Sequence, residues 1–116
     1  MQTSAFRASR DPALAIAVRI FVGGVGERWG VSEQVRNDLR LAASELFSGA
    51  VEAGGAGPVG FTITSDDGAI TLRADGLGPA SERSAGPAWD DRFGLVRALF
   101  PDADIGDSVA ITVRPV

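Results

Sequence analysis

The chain contains no cysteine, no histidine and no lysine, so carboxylates, arginines and backbone amides are what is left to do chemistry. Thiol catalysis, disulfides, zinc fingers, Ser-His-Asp mechanisms, a P-loop lysine and a Schiff-base lysine are all excluded. Three carboxylates, Asp38, Glu45 and Glu52, stand seven residues apart. On a helix that spacing returns them to one flank, which reads first as a solvated stripe. Gly76 and Gly78 follow Asp75. Such a pair either cradles an anion with its backbone or serves as two turn glycines. Trp89 leads into the charged triplet Asp90-Asp91-Arg92.

These residues must be positioned by one small domain. The 116 residues are 45% apolar and 22% charged, with a net charge of −4. A chain of this length buries roughly two-thirds of the surface that its unfolded form exposes, enough for one core. The acidic balance argues against a nucleic-acid module. The apolar stretch 13–25 is broken by Arg19, Gly23 and Gly24 and is too short to span a bilayer, so no membrane partner and a cytoplasmic location are expected.

Residues 1–11 read as a flexible N-terminal arm and 12–116 as the domain. Asp11-Pro12 is a helix opening, and Leu14, Val18, Phe21, Val22 and Val25 recur at helical spacing until Gly30 ends the segment. Ser32 is the next N-cap candidate. The positions Val35, Leu39, Ala42, Ala43, Leu46, Phe47, Ala50 and Val51 carry the strongest helical period in the chain, which stops at Gly54-Gly55-Ala56-Gly57-Pro58. Val59, Phe61 and Ile63, then Ile70, Leu72 and Ala74, alternate as two strands joined by a turn over Ser65-Asp66-Asp67-Gly68. The stretch 75–91 reads as a long loop, a short helix follows around Phe93–Phe100, and Val109, Ile111 and Val113 form a last strand. The order predicts an α+β fold, a two-layer α/β sandwich whose mostly antiparallel sheet is covered by helices on one face.

The run Leu41-Ala42-Ala43-Ser44-Glu45-Leu46-Phe47-Ser48-Gly49-Ala50-Val51-Glu52-Ala53-Gly54 resembles the first ATP-binding box of the anti-sigma-factor serine kinases. These belong to the GHKL, or Bergerat-fold, histidine kinase-like ATPase superfamily. Val18-Arg19 through Trp29-Gly30 looks like the family's first helix, Leu72-Arg73-Ala74-Asp75-Gly76-Leu77-Gly78-Pro79 like its glycine box, and Gly94-Leu95-Val96-Arg97-Ala98-Leu99 like its last box.

The resemblance implies a base at Glu45 and, four residues on, an Asn that binds the Mg²⁺ bridging the ATP phosphates. Gly49 stands there, a poor helix residue unless something needs the room. The family's adenine-anchoring Asp falls on Ala74; Asp75 is adjacent, but neighbouring strand residues face opposite sides, so it substitutes only if the chain bulges. Of the two glycines of the last box, the first is Arg92 and only Gly94 remains. Asp90 and Asp91, placed just before that helix, would satisfy its N–H groups and repel a triphosphate.

The expectation is therefore a degenerate, regulatory member of the family. Its vestigial nucleotide positions are Glu45, Gly49, Ala74, Asp75, Gly76, Gly78, Arg92 and Gly94, with no cofactor and no metal. Its implied partners are a sigma factor or a STAS-type anti-sigma antagonist, with homodimerisation common in the family. The alternative is an active ATP- and Mg-dependent serine kinase with Glu45 as base and Asp75 in the place of the missing Asp. Two residues stay open at this stage. Trp89 either plugs the emptied pocket or stands exposed as a partner-binding anchor. Arg92 is a plain surface residue, a partner for Asp90 or Asp91, or the filler of the vacated phosphate space.

Overall fold

A computed structural model describes residues 1–78 and 87–114. Its elements in chain order are β1 (Gln2–Ala8), a short 3-10 turn (Pro12–Leu14), α1 (Ala15–Arg28), α2 (Glu33–Ala53), β2 (Val59–Asp66), β3 (Ala69–Asp75), α3 (Pro87–Leu99), β4 (Asp104–Ile105) and β5 (Val109–Val113). The five strands form one sheet in the order β1-β2-β3-β5-β4, and every pairing is antiparallel. The fold class is the expected one.

Local chemistry explains the boundaries. Asp11 Oδ1 accepts a hydrogen bond from the Ala13 N–H at 3.0 Å, which starts the turn into α1. Ser32 Oγ does the same for the Val35 N–H at 3.4 Å and opens α2. Gly54, at φ 71°, ends α2. The β2–β3 turn is tighter than the four residues read from sequence. Asp66 and Ala69 are already paired, and Asp67 and Gly68 turn the chain with φ of 53° and 79°. Those positive angles are what a two-residue hairpin of right-handed twist requires.

The inner face of the sheet carries Phe6, Ala8, Val59, Phe61, Ile63, Ile70, Leu72, Ala74, Val109 and Ile111, and the helices cover it. Phe47 on α2 meets Phe61 on β2 with ring centroids 6.5 Å apart. Leu46, Phe47, Phe61 and Val96 are fully buried. The α1–α2 pair is close because two glycines of α1 leave room for arginine side chains of α2. A Cβ on Gly23 would meet the Arg40 guanidinium, and one on Gly26 would lie 3.2 Å from Arg36 Cγ.

Two expectations are corrected. Residues 2–8 are not a frayed arm but an edge strand in register with β2, from Gln2 opposite Ser65 to Ala8 opposite Val59. The helix read as beginning near Phe93 begins at Pro87, so Trp89, Asp90 and Asp91 belong to its first turns rather than to a loop. Residues 79–86 of the segment read as a long loop lie outside the described residues.

Candidate functional site

The site is built on the flank of α2 that carries Glu45, Gly49 and Glu52, and α3 lies against it. Trp89 is only 4% exposed. Its six-membered ring rests on the backbone of Gly49 so closely that a Cβ there would sit 2.5 and 2.7 Å from two ring carbons. The same Cβ would sit 2.8 Å from Arg92 Cδ. No alanine fits, which is the reason an α-helix interior tolerates glycine at this position. The indole also stacks on Phe93, with centroids 5.0 Å apart and planes 15° apart.

Arg92 reaches over the same notch. Its Nη1 donates to Glu45 Oε2 at 2.7 Å and its Nη2 to Glu52 Oε1 at 2.8 Å. One guanidinium thus spans two carboxylates two helical turns apart, a use for which its planar fork is suited. The Arg92 side chain is 17% accessible, Glu45 31% and Glu52 56%. Burial alone lowers the Arg92 pKa. The hydrogen bond and charge of Glu52, followed by those of Glu45, more than offset that, so it stands above the ordinary arginine value. The stripe of three acids therefore divides. Glu45 and Glu52 hold α3, while Asp38 accepts from Gln34 Nε2 on the open surface at 3.3 Å.

The glycine-box residues lie to one side of this cluster. Ala74 is buried, opposite Phe61 on β2 and Val109 on β5. Asp75 pairs with Gly60 without a bulge. Its side chain is exposed and crosses Gly60 on the outer face of the sheet; a Cβ on Gly60 would come within 2.6 Å of Asp75 Oδ1. It faces away from the helices, and its adjacency to Ala74 brings no carboxylate to the inner side. Gly76, at φ 80°, passes so near Pro58 that a Cβ would lie 2.5 Å from the Pro58 carbonyl oxygen. Gly78 also has a positive φ, 86°. Gly94 is exposed on α3 with open space around its Cα.

Arg10 is a residue that the sequence reading passed over. From the link between β1 and α1 it donates to three carbonyls: Ala50 near the end of α2 at 2.6 Å, Gly57 in the following glycine loop at 3.1 Å, and Gly76 in the glycine box. A cation at the C-terminal end of a helix is favourably placed, and this one also ties both glycine loops together. Beside it a cavity of about 420 Å³ is lined by Ser9, Arg10, Gly55, Gly57 and Pro58. No motif announces Arg10. Its partners are backbone oxygens from 40 to 66 residues away.

A model of the histidine kinase-like ATPase domain matches residues 8–105. The chain belongs to that family. No curated protein matches it. The matched span takes in the α2 flank, both glycine loops and α3, so this member of the histidine kinase-like ATPase domain family carries the Trp89–Arg92 cluster within the family's own elements. Among the described residues no group of three carboxylates gathers as a metal site, and no helix is long and apolar enough to cross a membrane.

Proposed function

We propose that this chain is a regulatory binding protein, a degenerate relative of the anti-sigma-factor kinases that works through protein–protein contact with nucleotide chemistry impaired or lost. The observation that carries the reading is the cluster at Gly49. The indole of Trp89 and the stem of Arg92 occupy the space beside α2, and the Arg92 guanidinium holds both carboxylates that could serve there.

Magnesium-bound ATP, which the family implies, does not fit these residues. Position 49 has no side-chain donor, a built-in cation lies between Glu45 and Glu52, and Asp75 faces the other side of the sheet. Three missing or misdirected contacts at about 1–3 kcal/mol each weaken binding by orders of magnitude even where they are not additive. The kinase alternative also needs Glu45 free to take a proton, and its Oε2 is already an acceptor for Arg92.

By resemblance, the partner is a sigma factor or a STAS-type anti-sigma antagonist. Isothermal titration with MgATP tests the first half of the proposal. No heat of binding is expected at micromolar protein and nucleotide, and a micromolar Kd overturns it. Titration with each sigma factor and STAS-domain protein of the source cell tests the second half. A saturable one-to-one complex is expected with at least one of them, and its absence across the whole set overturns the partner assignment.

A further inference from the structure

Arg10 is a fixed charge without a countercharge. Its three partners are carbonyl oxygens, and no carboxylate among the described residues pairs with it. The adjacent Asp11 turns its Oδ1 to the Ala13 N–H instead. Three of the five guanidinium N–H groups are used, which leaves two to donate. Because the three carbonyls belong to α2, the glycine loop and the glycine box, the cation is held in place before any ligand arrives. A ligand therefore does not bear the cost of ordering it.

The cavity beside Arg10 is lined by donors. Among the described residues neither Ser9 Oγ nor the N–H groups of Gly55 and Gly57 find an acceptor. Gly55 lies across the guanidinium, where a Cβ would be 3.6 Å from Arg10 Cζ and Nη2. None of the described lining residues is acidic, and Ser9, Gly55, Gly57 and Pro58 are all exposed, so the mouth is open to solvent. Two arginine N–H groups, one hydroxyl and two amides thus meet around one positive charge. A phosphoryl group, with three terminal oxygens and a charge of about −1.5 to −2 at neutral pH, uses more of these donors than a carboxylate with two oxygens. The volume of about 420 Å³ falls in the roughly 300–1,000 Å³ range of small-molecule pockets, and the Pro58 ring adds an apolar wall. Both exceed what a bare oxyanion needs.

We propose that this cavity binds the phosphoryl group of a small phosphate monoester, with Arg10 as its charge and Ser9, Gly55 and Gly57 as further donors. None of these four is a position at which the family resemblance implies nucleotide. The inference does not depend on what the site beside Gly49 binds.

Amide-resolved NMR reads the site residue by residue, with phenyl phosphate as the probe at constant ionic strength. The Gly55 and Gly57 amides and the Arg10 Nε–H should shift saturably with a millimolar Kd, and chloride should move none of them. Inorganic phosphate should bind several-fold more weakly, because it leaves Pro58 and most of the cavity unused. Ser9→Asp should abolish binding at an unchanged melting temperature: its carboxylate takes the two remaining Arg10 N–H groups while the bonds to the three carbonyls stay. Arg10→Lys, with three donors in place of five, should weaken binding by about tenfold or more. The absence of saturable shifts up to tens of millimolar phenyl phosphate overturns the proposal, as does undiminished binding by folded Ser9→Asp. Shifts centred on Gly49 place the anion on the other flank of α2 and overturn it as well. Equal affinity for phenyl phosphate and inorganic phosphate overturns the monoester assignment.

Discussion

Gly49, Trp89 and Arg92 behave as one unit, and each constrains the others. The notch exists because residue 49 has no Cβ; the indole fills it, and the guanidinium crosses it to reach two carboxylates. Gly49→Ala should therefore displace Trp89, since a Cβ 2.5 Å from a ring carbon forces a shift and the same Cβ also meets Arg92 Cδ at 2.8 Å. Overpacking of this kind costs about 1–3 kcal/mol, of which the better helix propensity of alanine returns up to about 1. The expected readout is tryptophan emission in a Trp29→Phe background, moving to longer wavelength as the Trp89 ring meets water; unchanged emission would sink the plug. Arg92→Met keeps the stem and removes two charge-assisted bonds. With Glu52 more than half exposed, the loss is set mainly by Glu45 and should be about 2 kcal/mol by urea denaturation. Because the Arg92 pKa is raised, this contribution is complete below the ordinary arginine value as long as both glutamates are ionised, and on the alkaline side it fades only above that value. Wild type and Arg92→Met should thus differ in stability by the same amount at about pH 6 and about pH 9, both far below that value. The sequence announced half of this unit. A glycine inside the strongest helical period signals that something needs room, but the arginine that needs it lies far downstream on another helix, beyond the reach of any periodic pattern.

Elements were legible where their own residues make the signal. The long α2 has a cap, a run of apolar positions in phase and a glycine stop, and the structure places Glu33–Ala53 between them. The strand β1 was not legible, because its inward positions are Gln2, Ser4, Phe6 and Ala8, of which only the last two are apolar. Its pairing with β2, distant in sequence, makes it a strand. The early start of α3 had a signal that was outweighed: proline at the first helical position and Asp90 in the first turn, hidden among Gly, Ser and Ala that read as loop. Arg10 acts at this scale too, fastening the end of α2 and both glycine loops with one side chain. Arg10→Ala should lower stability by about 1.5–3 kcal/mol, the value of a charge-assisted bond, set mainly by the part-buried one to Ala50 because those to Gly57 and Gly76 are exposed. Its effect should be local first. Amide hydrogen exchange at 54–57 and 76–78 should accelerate before the strands do, and uniform acceleration across the sheet would argue that Arg10 is not a loop clamp.

The whole molecule is one sheet with its helices on one side, and that arrangement makes the edge strand more consequential than its sequence suggests. Phe6 stacks on Phe21 of α1 with centroids 5.5 Å apart, and Ala8 is buried against the core. The strand therefore joins the sheet to the helical layer at the same place where Arg10 leaves for the glycine loops. Removing residues 1–8 strips β2 of its partner along seven paired positions and uncovers Phe21, Val59 and Phe61. Losing a fully buried phenylalanine costs about 3–5 kcal/mol, and half-buried Phe6 together with buried Ala8 and the lost strand pairing takes a large share of the roughly 5–15 kcal/mol that holds a domain of this size. The newly bared β2 edge is a ready template for a neighbouring chain. The shortened protein should lose its cooperative thermal transition and aggregate, whereas Phe6→Leu, which keeps the strand and most of the apolar contact, should melt cooperatively at a lower temperature. Calorimetry separates the two. A truncated chain that still unfolds in one sharp transition near the intact protein's temperature would mean that the helical layer is held without β1, and that the Phe6–Phe21 stack contributes little to joining the two layers.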